Sequence, residues 1–264
     1  MSRVSDPVCR ITGRLGGGGT AVIDRAVTGR GEVWAVKRAR PDAVGDAVVQ
    51  AGLRTEAALL ARLSHPRIPR LRATWTTQAG GFHVAMDLVA GSDLRALLHG
   101  GGGLRDAAAT GRLLAGAASA LGHLHAAGHV HGDVKPANIL CGADGASWLI
   151  DFAAAAPCDS ALDPRPSATD APAWGTILYA APERRAGRAA DPRDDVYALA
   201  RVAYALLTGR PPEGCDPPRP AGLGRRAWAA LSACLGPERA GRPYDAEAVP
   251  AALRPRLTLL RRVA

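Results

Sequence analysis

Three polar residues in HGDVKPANIL (131–140) have the types and spacing to move a phosphoryl group: Asp133, Lys135 two residues on and Asn138 five residues on. In that chemistry a carboxylate accepts the proton of the attacking hydroxyl. An ammonium neutralises charge growing on the transferred phosphate, and an amide oxygen binds a metal ion. LIDF (149–152) then sets Asp151 just after an expected strand, where it can serve a second metal position. Upstream, WAVK (34–37) ends an apolar strand in Lys37. Before it, LGGGGTAV (15–22) supplies a turn whose glycines let backbone N–H groups approach phosphate oxygens. Gly16 and Gly18 fill the first two positions of G-x-G-x-x-G, and Ala21 takes the third. Each piece alone has a plainer reading as a flexible turn, a surface lysine or a polar loop. Their order along one chain makes them a single candidate site. Gly132, standing between His131 and Asp133, raises the question of whether that site works, and on what.

A lysine that must face phosphates needs a carboxylate to hold it. Glu56 lies inside DAVVQAGLRTEAALLARL (46–63), a stretch whose Leu53, Leu60 and Leu63 fall on one helical face. A charged residue on that face needs a partner, and Lys37 is the obvious one. Around these residues the first third of the chain reads as strands: RITGRL (10–15), TAVIDRAV (20–27), EVWAVKRA (32–39), LRATWTTQ and FHVAMDL. After Gly91 the pattern turns helical. Residues 105–127 carry a stripe of Leu113, Leu114, Ala117, Leu121 and Leu124. ILCGADGASWLIDF reads as a hairpin, and DPRDDVYALARVAYALLTG (191–209) as an apolar helix with an acidic start. Residues 154–173 show no periodicity and read as a long loop. The fold class expected is α+β, with a small β-rich lobe followed by a larger helical one.

The 264 residues suffice for one large domain or two lobes, and 47% hydrophobic residues allow a sizeable core. The net charge of +9 raises the prospect of a nucleic-acid or membrane partner. Arginine is spread along the whole chain, however, with no nucleic-acid-binding motif, so no nucleic-acid partner is expected. The five cysteines (9, 141, 158, 215 and 234) show no C-x-x-C spacing, which argues against a disulfide framework or a zinc site. No apolar signal region opens the chain, and no apolar run is long enough to span a bilayer. A cytoplasmic protein without a membrane span is expected.

Taken together, the anchors GGGGTAV, WAVK, Glu56, AMDLVAG, HGDVKPANIL, IDFA, GTILYAAPE, DDVYALA and GPERAGRP resemble those of the eukaryotic-like (Hanks-type) bacterial serine/threonine protein kinases, over residues 10 to 250. The resemblance implies a tail at 1–9, an N-lobe at 10–89 and a C-lobe at 90–264, forming one kinase domain. It implies ATP with Mg²⁺ or Mn²⁺, protein substrates, and any regulator as a separate protein. Met86 would be the gatekeeper, with the backbone of Asp87 to Val89 holding adenine and Val22 and Ala35 capping the ring. Glu183 would pair with Arg242, and Asp195 would brace the catalytic loop. Lys135 and Thr176 point, by the family pattern, to serine or threonine acceptors.

Three departures carry information. HGD replaces the family's HRD, so Gly132 lacks the Arg that pairs with a phosphorylated activation loop; Arg165 or Arg184 would have to substitute for it. IDFA puts Ala153 where the family has Gly, a position where freedom at positive φ is expected to matter. The stretch from Thr208 to Arg225 is short, so a helix that helps relatives dock protein substrates is trimmed. Two other functions fit parts of this pattern. Small-molecule kinases of the aminoglycoside phosphotransferase type also carry HGD with Asn five residues after the Asp, but leave Lys135 and GTILYAAPE unexplained. A pseudokinase scaffold would ordinarily have lost Lys37, Asp133 or a metal ligand, and all are present.

Overall fold

The computed structural model describes residues 9–99, 102–142, 144–160 and 178–255. The expectations attached to Arg165 and Thr176 lie outside the described residues. The chain is a two-lobed α+β protein, strand-rich first and helical after.

The first lobe is an antiparallel sheet built from β1 (Cys9–Gly17), β2 (Ala21–Thr28), β3 (Val33–Ala39), β4 (Leu71–Thr76) and β5 (Phe82–Asp87), in the order β1-β2-β3-β5-β4. Alternation along β2 turns Val22, Asp24 and Ala26 inward. The buried Asp24 carboxylate is compensated by Arg14 at 2.9 Å and Arg38 at 2.8 Å. Helix α1 (Ala47–Leu60) packs on this sheet. Its start is fixed by Asp46, whose carboxylate accepts from the N–H groups of Val48 and Val49. Val49, Leu53, Glu56, Ala57 and Leu60 form its buried stripe. The helix stops at Leu60, short of the expected Leu63, which is nonetheless buried. Pro66 lies just ahead, and a residue preceding proline is steered out of the α region.

The second part contains β6 (Gly91–Asp93), α2 (Leu94–His99), α3 (Ala107–Ala126), β7 (His129–Val130), β8 (Ile139–Gly142), β9 (Ser147–Leu149), β10 (Ala156–Pro157), α4 (Pro182–Arg185), α5 (Pro192–Thr208), α6 (Arg225–Cys234) and α7 (Ala248–Leu253). Nearly every residue of α5 is buried, including Asp194, Asp195 and Arg201, whose charges are met by hydrogen bonds and ion pairs. Helix α3 lies against α5, α7 and β9. Gly116 permits its approach to β9, because a Cβ there would come 2.2 Å from the Ser147 carbonyl oxygen. The expected 154–173 loop needs correction at its start. Ala156 and Pro157 pair antiparallel with Val130 and His129, which gives backbone groups beside the site a partner. Residues 209–224 contain no helix, so α5 connects to α6 by irregular chain alone.

Candidate active site

Strand β3 carries Lys37 to the cleft and α1 carries Glu56 to meet it. Lys37 Nζ lies 2.7 Å from Glu56 Oε2 and 2.6 Å from Asp151 Oδ1. The Phe152 N–H donates to the other Glu56 oxygen at 3.1 Å. Residues far apart in sequence thus close around one ammonium. Burial pulls the Lys37 pKa down, but the charges of Asp151 and Glu56 outweigh it and the net shift is upward. Burial pushes Glu56 up against the pull of Lys37. For Asp151 burial again pushes up, but Lys37 dominates and holds the carboxyl at about 2. Lys37 is therefore a cation and Asp151 an anion at neutral pH.

The second group lies on the loop between β7 and β8. Asp133 Oδ2 accepts from Lys135 Nζ at 2.7 Å and from Asn138 Nδ2 at 3.0 Å. Asn138 Nδ2 also donates to the Asp133 carbonyl at 2.8 Å, so its amide oxygen is the group left for a cation. Asp133 Oδ1 is buried and has no partner among the described residues. Burial raises the Asp133 pKa, and Lys135 opposes the rise. An acceptor oxygen without a donor, on a carboxylate made more basic, is suited to take a proton from a hydroxyl.

Asp195, near the start of α5, fixes this loop from below. Its carboxylate accepts from the N–H groups of His131 at 2.7 Å and Gly132 at 2.9 Å, and lies 2.8 Å from His125 Nε2. Burial pushes Asp195 up, but His125, His131 and the Gly132 amide outweigh it, and its carboxyl is held below the usual range. His131 Nδ1 accepts from the Asp133 N–H while Nε2 meets the Ile150 carbonyl, so the Nε2–H tautomer satisfies both. Its ring meets Phe152 edge-on at 5.2 Å. Glu183 of α4 forms an ion pair with buried Arg242 at 2.9 Å, and Asp194 pairs with Arg239 at 2.8 Å.

The remaining expected residues line the sheet side. Ala35 lies opposite Met86 in the β3–β5 register, and both are buried, as is Val22. The Asp87 N–H is taken by the Arg70 carbonyl at 3.0 Å, and its carboxylate meets the Arg70 N–H and Arg72. Val89 lies just past β5 and enters no hydrogen bond among the described residues, so its backbone is available to a heterocycle. Gly16 and Gly18 have open space where a Cβ would be.

A model of the protein kinase domain matches residues 9–217. The chain belongs to the protein kinase domain family. It is 34% identical over 242 residues to the serine/threonine-protein kinase PkaA of Streptomyces coelicolor, covering 85% of this chain and 43% of that protein. It is 38% identical over 207 residues to the serine/threonine-protein kinase PknD of Mycobacterium tuberculosis, covering 78% of this chain and 30% of that protein. The chain thus spans less than half the length of these relatives. The small-molecule phosphotransferase alternative raised by Gly132 is not favoured.

Within this kinase domain the departures take on physical meaning. Gly132 has φ +74°, and a Cβ there would stand 3.0 Å from Arg184 Nη2 and 3.0 Å from the Ala154 carbonyl oxygen. The Arg184 guanidinium donates to that same carbonyl at 3.5 Å. Ala153 needs correction: its φ is not positive, and the left-handed residue is Asp151 at φ +68°. The expected strain at Ala153 is therefore absent. Its methyl carbon lies 3.4 Å from where a Cβ on Gly52 of α1 would stand.

Among the described residues no group of three or more His, Cys, Asp or Glu could hold a metal ion. Asn138 and Asp151 supply two hard oxygen donors instead. That donor set fits Mg²⁺, which takes few protein ligands and completes its shell with water and phosphate. The sequence reading missed His125, His131 and Arg239 as parts of this assembly, and named Arg184 only as a stand-in for the Arg absent at 132. HLH (123–125) and PERR (182–185) are visible as strings, but nothing local says where these side chains land.

Proposed function

We propose that the chain is an ATP-dependent serine/threonine protein kinase, with an N-lobe of residues 10–89 and a C-lobe of 90–264. The reading rests on one observation above others: an unpartnered carboxylate oxygen of Asp133 in the same cleft as the Lys37–Glu56–Asp151 cluster. The backbone of Asp87 to Val89 would hold adenine between Val22, Ala35 and Met86, with the Gly16–Gly18 turn over the phosphates. Lys37, oriented by Glu56, would bind those phosphates. Asn138 and Asp151 would hold Mg²⁺ or Mn²⁺, which supplies charge neutralisation at the phosphates when bound. Asp133 Oδ1 would accept the proton of a protein hydroxyl while Lys135 offsets charge on the transferred group. Serine or threonine acceptors are favoured by Lys135 and by the names of the relatives.

We further propose that activity does not require activation-loop phosphorylation. The contacts that hold Lys37 toward the cleft come from residues 56, 151 and 152, and Gly132 offers no cation to a phosphate. A cytoplasmic location and a separate regulatory protein complete the reading. Cys141, Cys158, Cys215 and Cys234 carry free thiols, and no helix among the described residues is long and apolar enough to cross a membrane.

Purified protein with labelled ATP and Mg²⁺ or Mn²⁺ tests the reading. Transfer to itself or to a generic protein is the expected result. Transfer to small molecules only, or nucleotide binding without turnover, would overturn it. Alanine at Ser160, Ser167 and Thr169 together is expected to preserve most activity. A loss of about ten-fold or more, worth about 1.4 kcal/mol, and its rescue by acidic replacements would reinstate phosphate control.

A further inference from the structure

A cavity of about 510 Å³ opens between the Leu178–Arg185 segment and the helix-free chain that follows α5. Its wall carries three guanidinium groups, Arg185, Arg201 and Arg210, against one carboxylate, Glu213. Arg201 is only 5% exposed. It donates to the carbonyls of Leu178, Pro212 and Gly214 and to the Tyr197 hydroxyl, so its acceptors among the described residues are all neutral. A buried cation held by dipoles and not by an anion leaves the wall positive. Arg185 and Arg210 are exposed and add to that field. Leu178 and Pro212 make another part of the wall apolar. Ala180 lines this cavity and also the small recess that touches Asp133, so the two spaces meet across one residue.

We propose that this cavity receives an acidic segment of the protein substrate, with an Asp or Glu side chain at the guanidinium wall and an apolar neighbour against Leu178 and Pro212. The absence of a helix between Thr208 and Arg225 leaves the wall open to it. Docking there directs a hydroxyl on the same chain across Ala180 toward Asp133. Free phosphate or another small anion would leave the apolar wall unused, which favours a peptide. The inference rests on the protein-kinase reading and gives it a substrate class.

Two measurements on the full chain separate this inference from that reading. The first needs no catalysis. A fluorescent peptide of Asp, Glu and Leu, without Ser, Thr or Tyr, is compared by anisotropy with its Asn and Gln counterpart. The acidic peptide is expected to bind about ten-fold more tightly, and the Arg185→Gln/Arg210→Gln variant, checked for folding by thermal melting, is expected to lose the difference. The second compares kcat/KM on serine peptides with acidic or amide flanks. Their ratio is expected to fall in the double variant, chiefly through KM, and to shrink in high salt. Equal binding of the two peptides, or a preference that survives in the double variant, overturns the docking inference. Selective binding without phosphate transfer to any peptide leaves it standing and overturns the kinase reading.

Discussion

Arg184 occupies the space above Gly132 that a side chain at position 132 would enter, with Nη2 at 3.0 Å from the position of the missing Cβ. The glycine is doubly required, by this crowding and by its φ of +74°. A left-handed conformation costs an L-residue roughly 1–2 kcal/mol. Gly132→Ala is therefore expected to lower stability by about that much, or roughly 2–4 °C in Tm per kcal/mol for a protein near this size. Thermal melts of the two single variants and of Gly132→Ala/Arg184→Ala check it. The double variant should recover the part due to Arg184 and keep the part due to the φ and to the Ala154 carbonyl. Additive losses would show that Arg184 does not press on this position.

Lys37→Met, Asp133→Asn and Asp151→Ala are each expected to lower the rate by at least ~10²-fold, since in the proposed roles each removes charge or proton transfer from the reacting groups. Single-turnover kinetics with labelled ATP measure it. Near wild-type turnover by Asp133→Asn would remove Asp133 as the base.

The raised pKa of Asp133 gives a pH dependence with a defined sign. A base must be ionised, so kcat/KM falls as pH drops through that raised value, above the ordinary aspartate range. Lys135 lowers the Asp133 pKa. Lys135→Ala should therefore move the acid limb to still higher pH, apart from any loss in the plateau. A limb that stays in place, or moves down, contradicts the assignment.

Ala153→Gly is expected to leave activity within about three-fold, because residue 153 is not left-handed. Replacing Ala by Gly frees the unfolded chain and typically costs ~0.5–1 kcal/mol in stability. Parallel assays in Mg²⁺ and Mn²⁺ test it. A large gain in activity would mean that the alanine impairs the enzyme.

The parts of the site that were legible in the sequence are those whose geometry is local. Asp133, Lys135 and Asn138 share one loop, so their spacing is already close to their arrangement. Glu56 was legible because helical periodicity assigned it a buried face and burial demanded a counter-charge. Partner choice between distant segments came mostly from the family resemblance, which implied Glu183 with Arg242 and Asp195 against the HGD loop but not Asp194 with Arg239. Asp194 and Asp195 are adjacent, yet about 100° apart around a helix. One pairs with Arg239, and the other holds His125 and the amides of the catalytic loop. The two-residue pairing of β7 with β10 was hidden for a similar reason, since two residues carry no period. The strain assigned to Ala153 was misplaced because the sequence does not say which residue of IDFA turns left-handed.

Asp195 has a consequence for the timescales on which different parts of the molecule open. It sits on a helix buried along nearly its whole length and receives the His131 and Gly132 amides, so those hydrogens reach solvent only when this loop parts from α5. Their isotope exchange is expected to be slow. The Gly18 amide, bonded to the Ala21 carbonyl in an exposed turn, exchanges through local fraying. The lower wall of the cleft is thus among the slowest-opening parts of the chain and the Gly-rich turn among the fastest. On the proposed reading, nucleotide enters and leaves under the turn while the Asp133 loop holds its shape.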